Sequence, residues 1–245
     1  MRVKVEVCVT SVPEAKAAEA CGADGVELCT WLACGGVTPS SGLVDAVRGS
    51  VQLPVRVLVR PKPGGFVHEA AELHALLIDA EILGGGAIGL VTGGLLANGN
   101  MDVELMRTVK KAAPESEITF HRAIDQARDP LAVLEACASI GAHRILTSGA
   151  RTLAMDGAAM IGQLVQQAGE RVMIAAAGGI NPANVVELVE RTGVTEVHFA
   201  AQLPSANRVV GASMSSTNEG VSIETVPDRA KIEAVLNALV KAGLR

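Results

Sequence analysis

Acidic side chains are paired with thiol or imidazole side chains, two residues apart, within three short apolar stretches: Glu6 with Cys8, Glu27 with Cys29, and Glu196 with His198. In a β-strand, residues two apart lie on the same face. A carboxylate among apolar neighbours is costly to bury unless it is paired or put to use. The spacing therefore predicts a buried site that gathers carboxylates, thiols and imidazoles from several strands.

A fourth stretch, residues 119–125, places His121, Arg122 and Asp125 at the end of an apolar run. A carboxylate and a neutral imidazole can work as a general acid/base pair, so Glu27, His121 and Glu6 are candidate catalytic residues. Arg60, which ends another apolar run, is a candidate anion clamp. Arg122 and Asp125 are candidate ligand-binding residues, although Arg122 is expected to face away from His121, and Asp125 could equally organise its loop.

A structural interpretation of the same charges stays open. Arg56 or Arg60 could neutralise Glu6 and Glu27 inside the protein as a packing device, with no ligand involved. Glu27 and Arg60 lie nearer the strand ends than Glu6, which makes them the stronger functional candidates. His198, on the same face as Glu196, is a further candidate for ligand binding.

The thiols suggest a metal. Cys8 and Cys29 are expected on adjacent strands, facing the same interior, with Cys34 on the loop that follows. Soft thiolate ligands select Cu(I), so Cys8 and Cys29 are candidate copper ligands. The alternative is that they are buried free cysteines that act as small hydrophobic residues. No HxH or HExxH spacing points to another metal.

Two loops could contribute groups to a ligand. Gly178 and Gly179 join a strand to a helix, where backbone N–H groups commonly meet a phosphate, although a tight strand–helix connection explains them equally well. Thr147 and Ser148 follow another strand and offer hydroxyl groups. No lysine stands at a strand end, so Schiff-base chemistry has no obvious nucleophile.

Short strands alternate with helices at intervals of about thirty residues. The predicted strands are 3–9, 24–28, 54–60, 87–92, 118–121, 143–147, 172–175 and 196–199. The predicted helices are 13–22, a helix after Ser40 ending near residue 47, 69–83, 102–112, 130–140, 156–168, 181–191 and 228–242. Eight such units in 245 residues predict one α/β domain over 1–245, a (β/α)8 TIM barrel with its chemistry at the carboxyl ends of the strands. A doubly wound open sheet is the alternative.

Composition excludes several classes of partner. A net charge of −5 with three Phe, one Trp and no Tyr offers neither a basic surface nor a base-stacking platform, so nucleic acid is not expected. The uncharged run 82–101 contains too many glycines for a membrane helix. Five scattered cysteines favour reduced thiols, and we expect a cytoplasmic protein.

Several motifs taken together resemble the CutC copper homeostasis proteins. These are Val26-Glu27-Leu28-Cys29, Gly35-Gly36-Val37-Thr38-Pro39-Ser40, Arg60-Pro61, Thr119-Phe120-His121-Arg122-Ala123-Ile124-Asp125 and Arg144-Ile145-Leu146-Thr147-Ser148-Gly149, together with Glu6-Val7-Cys8 and Glu196-Val197-His198. The resemblance implies a cytoplasmic (β/α)8 barrel that forms a homo-oligomer and handles copper. It also implies that Glu6, Glu27, Arg60, His121, Arg122 and His198 surround the barrel mouth.

Two functional hypotheses follow. In the first, the chain is a copper homeostasis protein that binds Cu(I) through Cys8 and Cys29. In the second, it is an enzyme acting on a small polar metabolite, phosphorylated or sugar-like, through Glu27 and His121.

Overall fold

The computed structural model describes residues 2–85, 88–205 and 225–245. Eight parallel strands form a closed barrel, with each strand bonded to the next and β1 bonded to β8. The strands are β1 Lys4–Val9, β2 Gly25–Leu28, β3 Val55–Leu58, β4 Ile88–Thr92, β5 Ile118–Phe120, β6 Arg144–Thr147, β7 Met173–Ala177 and β8 Glu196–Ala200. The predicted TIM barrel is therefore confirmed.

Helices follow the strands and cover the outside of the barrel. They are α1 Val12–Cys21, α2 Ser41–Arg48, α3 Ala70–Leu83, α4 Val103–Ala112, α5 Pro130–Ile140, α6 Ala158–Ala168, α7 Val185–Thr192 and α8 Arg229–Lys241. Their ends follow local chemistry. For example, Asp129 accepts hydrogen bonds from the first turn of α5, Pro130 occupies that turn, and Gly141 ends the helix with a φ of 70°.

The main apolar core lies between the strands and the helices. Alternate strand residues such as Val5, Val7, Val26 and Leu28 belong to it and are almost completely buried. The residues between them face the barrel interior, where Cys8, Cys29, Leu58 and Val91 form a small separate apolar cluster. Barrel interiors are usually filled with branched apolar side chains. Here much of that space holds charged and thiol groups, which marks the interior as the place to look for a site.

Glycine at position 89 makes room for one of these charged groups. A Cβ built on Gly89 would lie 2.9 Å from Cγ of Arg56, which is closer than two carbon atoms pack without a shift. Gly89 is the partner of Arg56 in the register of β3 and β4. The absence of a side chain at position 89 therefore leaves room for the arginine side chain in its present position.

Two short 3-10 helices, Leu32–Cys34 and Arg122–Gln126, follow β2 and β5 where no helix was predicted. A hairpin of β9 Gln202–Pro204 and β10 Thr225–Pro227 lies near the ends of the loop predicted over 202–222, most of which is outside the described residues. Ala87, predicted as strand, also lies outside them. In the described part of the chain, no helix is long and apolar enough to cross a membrane.

Candidate functional site at the barrel mouth

A charge cluster made of Glu6, Arg56, Arg144 and Glu196 fills the lower part of the barrel interior. Arg56 Nη1 lies 2.7 Å from Glu6 Oε1, and Arg144 Nη2 lies 2.5 Å from Glu6 Oε2 and 2.6 Å from Glu196 Oε1. Burial disfavours ionisation of Glu6, but Arg144, followed by His198 and Arg56, outweighs it and holds the pKa of Glu6 well below its usual range. Each carboxylate of the charge cluster therefore has an arginine partner.

These contacts match the interpretation of Glu6 as part of a buried packing arrangement. Of the two arginines considered as its partner, Arg56 is the one that pairs with it. Arg60, the other candidate, takes no part. Arg144 is the partner that sequence reasoning missed, and it is 1% exposed. Burial, together with the neighbouring charge of Glu6, raises the pKa of Glu196, although Arg144 opposes this.

His198 connects the charge cluster to the layer above it. Its Nδ1 lies 2.8 Å from Glu6 Oε2 and 4.0 Å from Glu27 Oε2. Burial alone would lower the pKa of His198, but Glu27 and Glu6 outweigh burial and raise it. Because Glu6 holds the Nδ1 side of the ring, Nε2 is the atom left for a ligand.

The two predicted thiols lie together above the charge cluster. Cys8 Sγ and Cys29 Sγ are 3.6 Å apart, and both residues are buried without a disulfide. Donor atoms of Cys8, Glu27 and His198 all lie within 4.8 Å of one another. The hydrogen bond with Cys29, and then burial, raise the pKa of the Cys8 thiol well above its usual value. One sulfur, one carboxylate and one imidazole thus lie close together, with the second sulfur 3.6 Å from the first.

Glu27 is buried like Glu6 but is not paired like it. Its Oε2 has no hydrogen-bond partner in the described part of the chain. No arginine or lysine there lies within salt-bridge distance, and His198, at 4.0 Å, is the nearest side chain that can carry a positive charge when protonated. Burial raises the pKa of Glu27, and the partial compensation by His198 does not cancel the effect. A buried carboxyl group that takes up a proton so readily suits an acid/base or ligand role.

His121 lies at the end of β5 with one ring nitrogen satisfied. Its Nδ1 accepts a hydrogen bond from the N–H of Ala123 at 3.3 Å, which fixes the proton of the neutral ring on Nε2. Nε2 has no partner among the described residues. Burial, helped by the charge of Arg60, lowers the pKa of His121 to about 3. The residue is therefore a neutral hydrogen-bond donor at physiological pH.

Arg60 holds the loop that follows β2. Its Nη1 donates to the carbonyl groups of Cys34 and Gly36, at 3.3 and 2.7 Å, and its Nη2 donates to Gly64 at 2.5 Å. The guanidinium also lies over the ring of Phe66, 5.2 Å from its centroid. A guanidinium has five N–H donors, so these three bonds leave two, including the unpartnered Nε.

Arg122, Asp125 and Ser148 form a network on the opposite side of the mouth. Asp125 accepts from Thr147 Oγ1 at 2.6 Å, from Ser148 Oγ at 2.8 Å, and from Arg122 Nε at 2.9 Å, and also from the N–H groups of Ser148 and Ala150. These contacts occupy both carboxylate oxygens, which favours the loop-organising alternative for Asp125. Thr147 and Ser148 are fully buried in the same network.

The expectation that Arg122 faces away from His121 is wrong. Both side chains line the same cavity, because β5 ends at Phe120 and the chain turns into the 3-10 helix at Arg122. The alternation that would separate two strand neighbours no longer applies once the strand has ended.

Gly178 and Gly179 also line the cavity, in left-handed conformations with φ of 108° and 70°. A Cβ on Gly178 would lie 2.9 Å from the carbonyl oxygen of Thr152, so the neighbouring loop leaves no space for a side chain. The predicted helix at 181–191 begins only at Val185, because Asn184 Oδ1 accepts from the N–H of Asn181 and Asn181 Oδ1 from that of Ala183. The N–H groups of Asn181 and Ala183 are therefore already capped. The close approach of Thr152 to Gly178 fits the tight-connection interpretation of the two glycines.

The cavity at the mouth has a volume of about 850 Å³. Its floor is formed by Cys8, Glu27, Cys29 and His198, and its walls include Phe66, His121 and Phe199. We call it the mouth cavity. Glu6 does not line it, contrary to the expectation that Glu6 surrounds the barrel mouth as a candidate catalytic residue. Its place in the charge cluster agrees with the prediction that it lies deeper than Glu27.

Comparisons with known proteins place this barrel in a family. The model of the CutC family matches residues 3–203 of the chain. The chain belongs to the CutC family. The CutC resemblance of the sequence motifs is thereby confirmed.

Curated relatives of the CutC family match over nearly the whole chain. The copper homeostasis protein cutC homolog of Homo sapiens is 37% identical over 97% of this chain and 89% of its own length. A family protein CutC of Xanthomonas campestris pv. campestris (strain B100) is 41% identical over 97% of this chain and 99% of its own length.

Solved structures agree on the fold. A CutC protein of Streptococcus agalactiae superposes with a TM-score of 0.74 at 27% identity, covering 80% of this chain and 98% of that one. A phosphoribosylanthranilate isomerase of Thermotoga maritima has a TM-score of 0.57 at 16% identity, covering 98% of this chain and 99% of that one. The second likeness concerns the barrel fold alone.

Sequence reasoning missed two cationic residues at the mouth of this CutC family member. Lys231, in the first turn of α8, lines the mouth cavity, and its Nζ donates to the carbonyl of Ala200 at 2.7 Å. Arg151, on the loop after β6, lines it as well. The search for a lysine at a strand end could not find Lys231, because it reaches the mouth from a helix start. Its spacing of three residues after the capping Asp228 was the available signal.

Proposed function

We propose that this chain is a copper homeostasis protein that binds Cu(I) through Cys8 and Cys29 at the floor of the mouth cavity. The observation that carries the proposal is the separation of 3.6 Å between the two buried sulfur atoms, with Glu27 and His198 beside Cys8. Family membership and the names of the curated relatives support the copper role.

The donor set fits the ion. A metal–thiolate bond is about 2.3 Å long for zinc, so one ion can reach two sulfurs that lie 3.6 Å apart. Soft thiolates favour Cu(I) over hard divalent cations, and an imidazole is an acceptable further ligand. Glu6 would support His198 from behind, as carboxylates commonly do for a histidine ligand.

Copper binding would displace protons from the thiols. The Cys8 thiol has a raised pKa, so it is protonated at neutral pH before the ion arrives. Only the thiolate is a good ligand, so binding releases protons and is tighter at higher pH. The copper ion is the cargo of this site, and the chain's own groups at the floor of the mouth cavity hold it.

Titration of Cu(I) against a competing copper(I) chelator tests the proposal. The Cys8→Ser/Cys29→Ser variant should bind copper more than about 100-fold more weakly, because loss of even a supporting residue costs roughly 10–100-fold. Cys21→Ser is the matched control, since Cys21 lies on α1 outside the mouth cavity. Equal competition by the double variant and the unchanged protein would contradict the thiolate site.

The enzyme alternative, with Glu27 and His121 as an acid/base pair, is not favoured, because the human and mouse relatives carry copper homeostasis names. We retain as predictions a cytoplasmic location, a homo-oligomeric assembly and a single domain over 1–245. Size-exclusion chromatography with light scattering tests the assembly. The five free cysteines are compatible with a reducing compartment.

A further inference from the structure

The mouth cavity is far larger than one copper ion requires. Its volume of about 850 Å³ falls within the range of roughly 300–1,000 Å³ that is typical of sites for small organic molecules. Cys8 and Cys29 occupy only its floor. Most of the cavity is therefore available for something other than the ion.

The walls of the mouth cavity are cationic in a protein whose net charge is −5. Four arginine or lysine side chains line it, Arg60, Arg122, Arg151 and Lys231, against the two carboxylates of Glu27 and Asp125. Arg122 is neutralised by Asp125 at 2.9 Å. In the described residues, the other three cations have no carboxylate within 4 Å, which leaves an excess of positive charge in a recess where field lines concentrate.

These three cations are positioned by backbone carbonyl groups and not by acidic side chains. Arg60 is held by Gly36 and Gly64, Lys231 by Ala200, and Arg151 by Ala150. Neutral acceptors fix a cation in place without cancelling its charge. The three residues come from the loop after β3, the loop after β6 and the start of α8, so they approach the cavity from different sides.

The inner wall offers unsatisfied polar atoms to an uncharged part of a ligand. Nε2 of His121 and Oε2 of Glu27 have no partner among the described residues, and each residue is 5% exposed. Buried polar groups are normally hydrogen-bonded, so unpaired ones beside a cavity point to an absent partner. The proton fixed on His121 Nε2 would be donated to a ligand oxygen. Phe66, Phe199 and Ile180 supply apolar contact surface.

We propose that the mouth cavity binds a small organic anion, with its phosphate or carboxylate group against Arg60, Arg151 and Lys231 and its hydroxyl-bearing body against His121 and Glu27. Copper at Cys8 and Cys29 is not needed for this site. The ligand would lie above the two sulfurs and close the way to them.

Isothermal titration calorimetry with four probes tests this site: ribose 5-phosphate, citrate, inorganic phosphate and uncharged ribose. We expect saturable 1:1 binding of ribose 5-phosphate or citrate, weaker binding of inorganic phosphate, and none of ribose. The two organic probes distinguish a phosphate from a carboxylate ligand. Higher ionic strength should weaken the binding, because exposed charges are screened.

Removal of one charge locates the site. Lys231→Gln and Arg151→Gln should each weaken binding of the organic anion about tenfold, the effect of losing one charge-assisted hydrogen bond. Lys241→Gln is the matched control at the exposed far end of α8 and should bind like the unchanged protein. Arg151→Gln alters an exposed side chain, so it remains informative if Lys231→Gln folds poorly.

Three results would overturn the proposal. The first is no binding of any probe at about 10 mM, where even a site with a dissociation constant of roughly 1 mM would be close to saturation. The second is equal affinity for inorganic phosphate and the organic anions. The third is an affinity for the organic anion that is unchanged in both charge variants. The Cys8→Ser/Cys29→Ser variant should still bind the anion. The copper-site proposal and the anion-site proposal can therefore be refuted independently of each other.

Discussion

Two layers of the same barrel interior differ in how their charges are satisfied. In the charge cluster below, Glu6 has two arginine nitrogens within 2.7 Å. In the layer above, Glu27 lies beside two thiols and has no arginine partner among the described residues. Both carboxylates are buried, and each lies two residues before a cysteine on its strand. Nevertheless the pKa of Glu6 is lowered and that of Glu27 is raised.

The difference separates a structural arrangement from a binding arrangement. A buried carboxylate that is paired makes its contacts within the folded protein and has little left to offer a ligand. Glu27 and His121 keep unpartnered polar atoms beside the mouth cavity, where a ligand or water can relieve their desolvation cost. The unpartnered atoms of Arg56, Arg144 and Glu196 belong to residues that do not line that cavity. Proteins accept such costs at functional sites, which is the reason to assign function to the upper layer.

The largest expected effect comes from the lower layer. Arg144→Met leaves Glu6 and Glu196 without their common partner, so the free energy of unfolding should fall by about 3–5 kcal/mol, as for other broken buried pairs. Urea unfolding at pH 7 measures it. Arg171→Met is the control, because Arg171 and Glu135 form an exposed pair on the outer surface. A loss no larger than in the control would mean that the charge cluster does not hold the barrel together.

The titration of His121 should make the stability of the folded protein depend on pH. Its folded pKa of about 3 lies below the value of about 6.5 in an unfolded chain. The unfolded chain therefore takes up a proton that the folded protein refuses, and stability falls as the pH drops from about 6.5 toward 3. By pH 5 this difference in pKa lowers the free energy of unfolding by about 2 kcal/mol.

His121→Asn should remove this contribution, since the asparagine side chain can still accept from the N–H of Ala123 but does not titrate. The measurement is the difference in melting temperature between pH 8 and pH 5. The raised pKa of His198 acts in the opposite direction, so the variant and not the absolute slope is informative. His74→Asn, at an exposed position on α3, is the control. A slope that is unchanged in His121→Asn, or changed equally in both, would contradict the assignment.

The barrel itself was predictable because each strand carries its own alternation of apolar residues, and the pairs Glu6/Cys8 and Glu27/Cys29 share a face for that local reason. The partner of Glu6 was not predictable in this way. Arg144 is 138 residues away along the chain, and nothing in its own strand indicates which carboxylate lies across the barrel.

Residues just beyond the strand ends were also beyond local reasoning. Whether Arg122 shares a face with His121 depends on the strand ending at Phe120, and a boundary error of one residue reverses the answer. Lys231 enters the cavity from α8, which follows β8 only after the hairpin. Its position depends on the packing of that helix against the closed barrel and not on any pattern within the strands.

The smallest expected effect has the opposite sign and compares the two layers directly. Glu27→Gln replaces a carboxylate that has no arginine partner with a neutral group of the same shape, so the free energy of unfolding at pH 7 should rise by about 1 kcal/mol. Because the folded pKa of Glu27 is raised, the gain should disappear at pH values below the usual carboxyl pKa, where both states are protonated. Glu6→Gln, measured by the same urea unfolding, should instead be destabilising, since the folded pKa of Glu6 is lowered. If both variants lost stability to the same extent, Glu27 would be a fifth member of the charge cluster, and the distinction between a paired lower layer and an unpaired upper layer would fail.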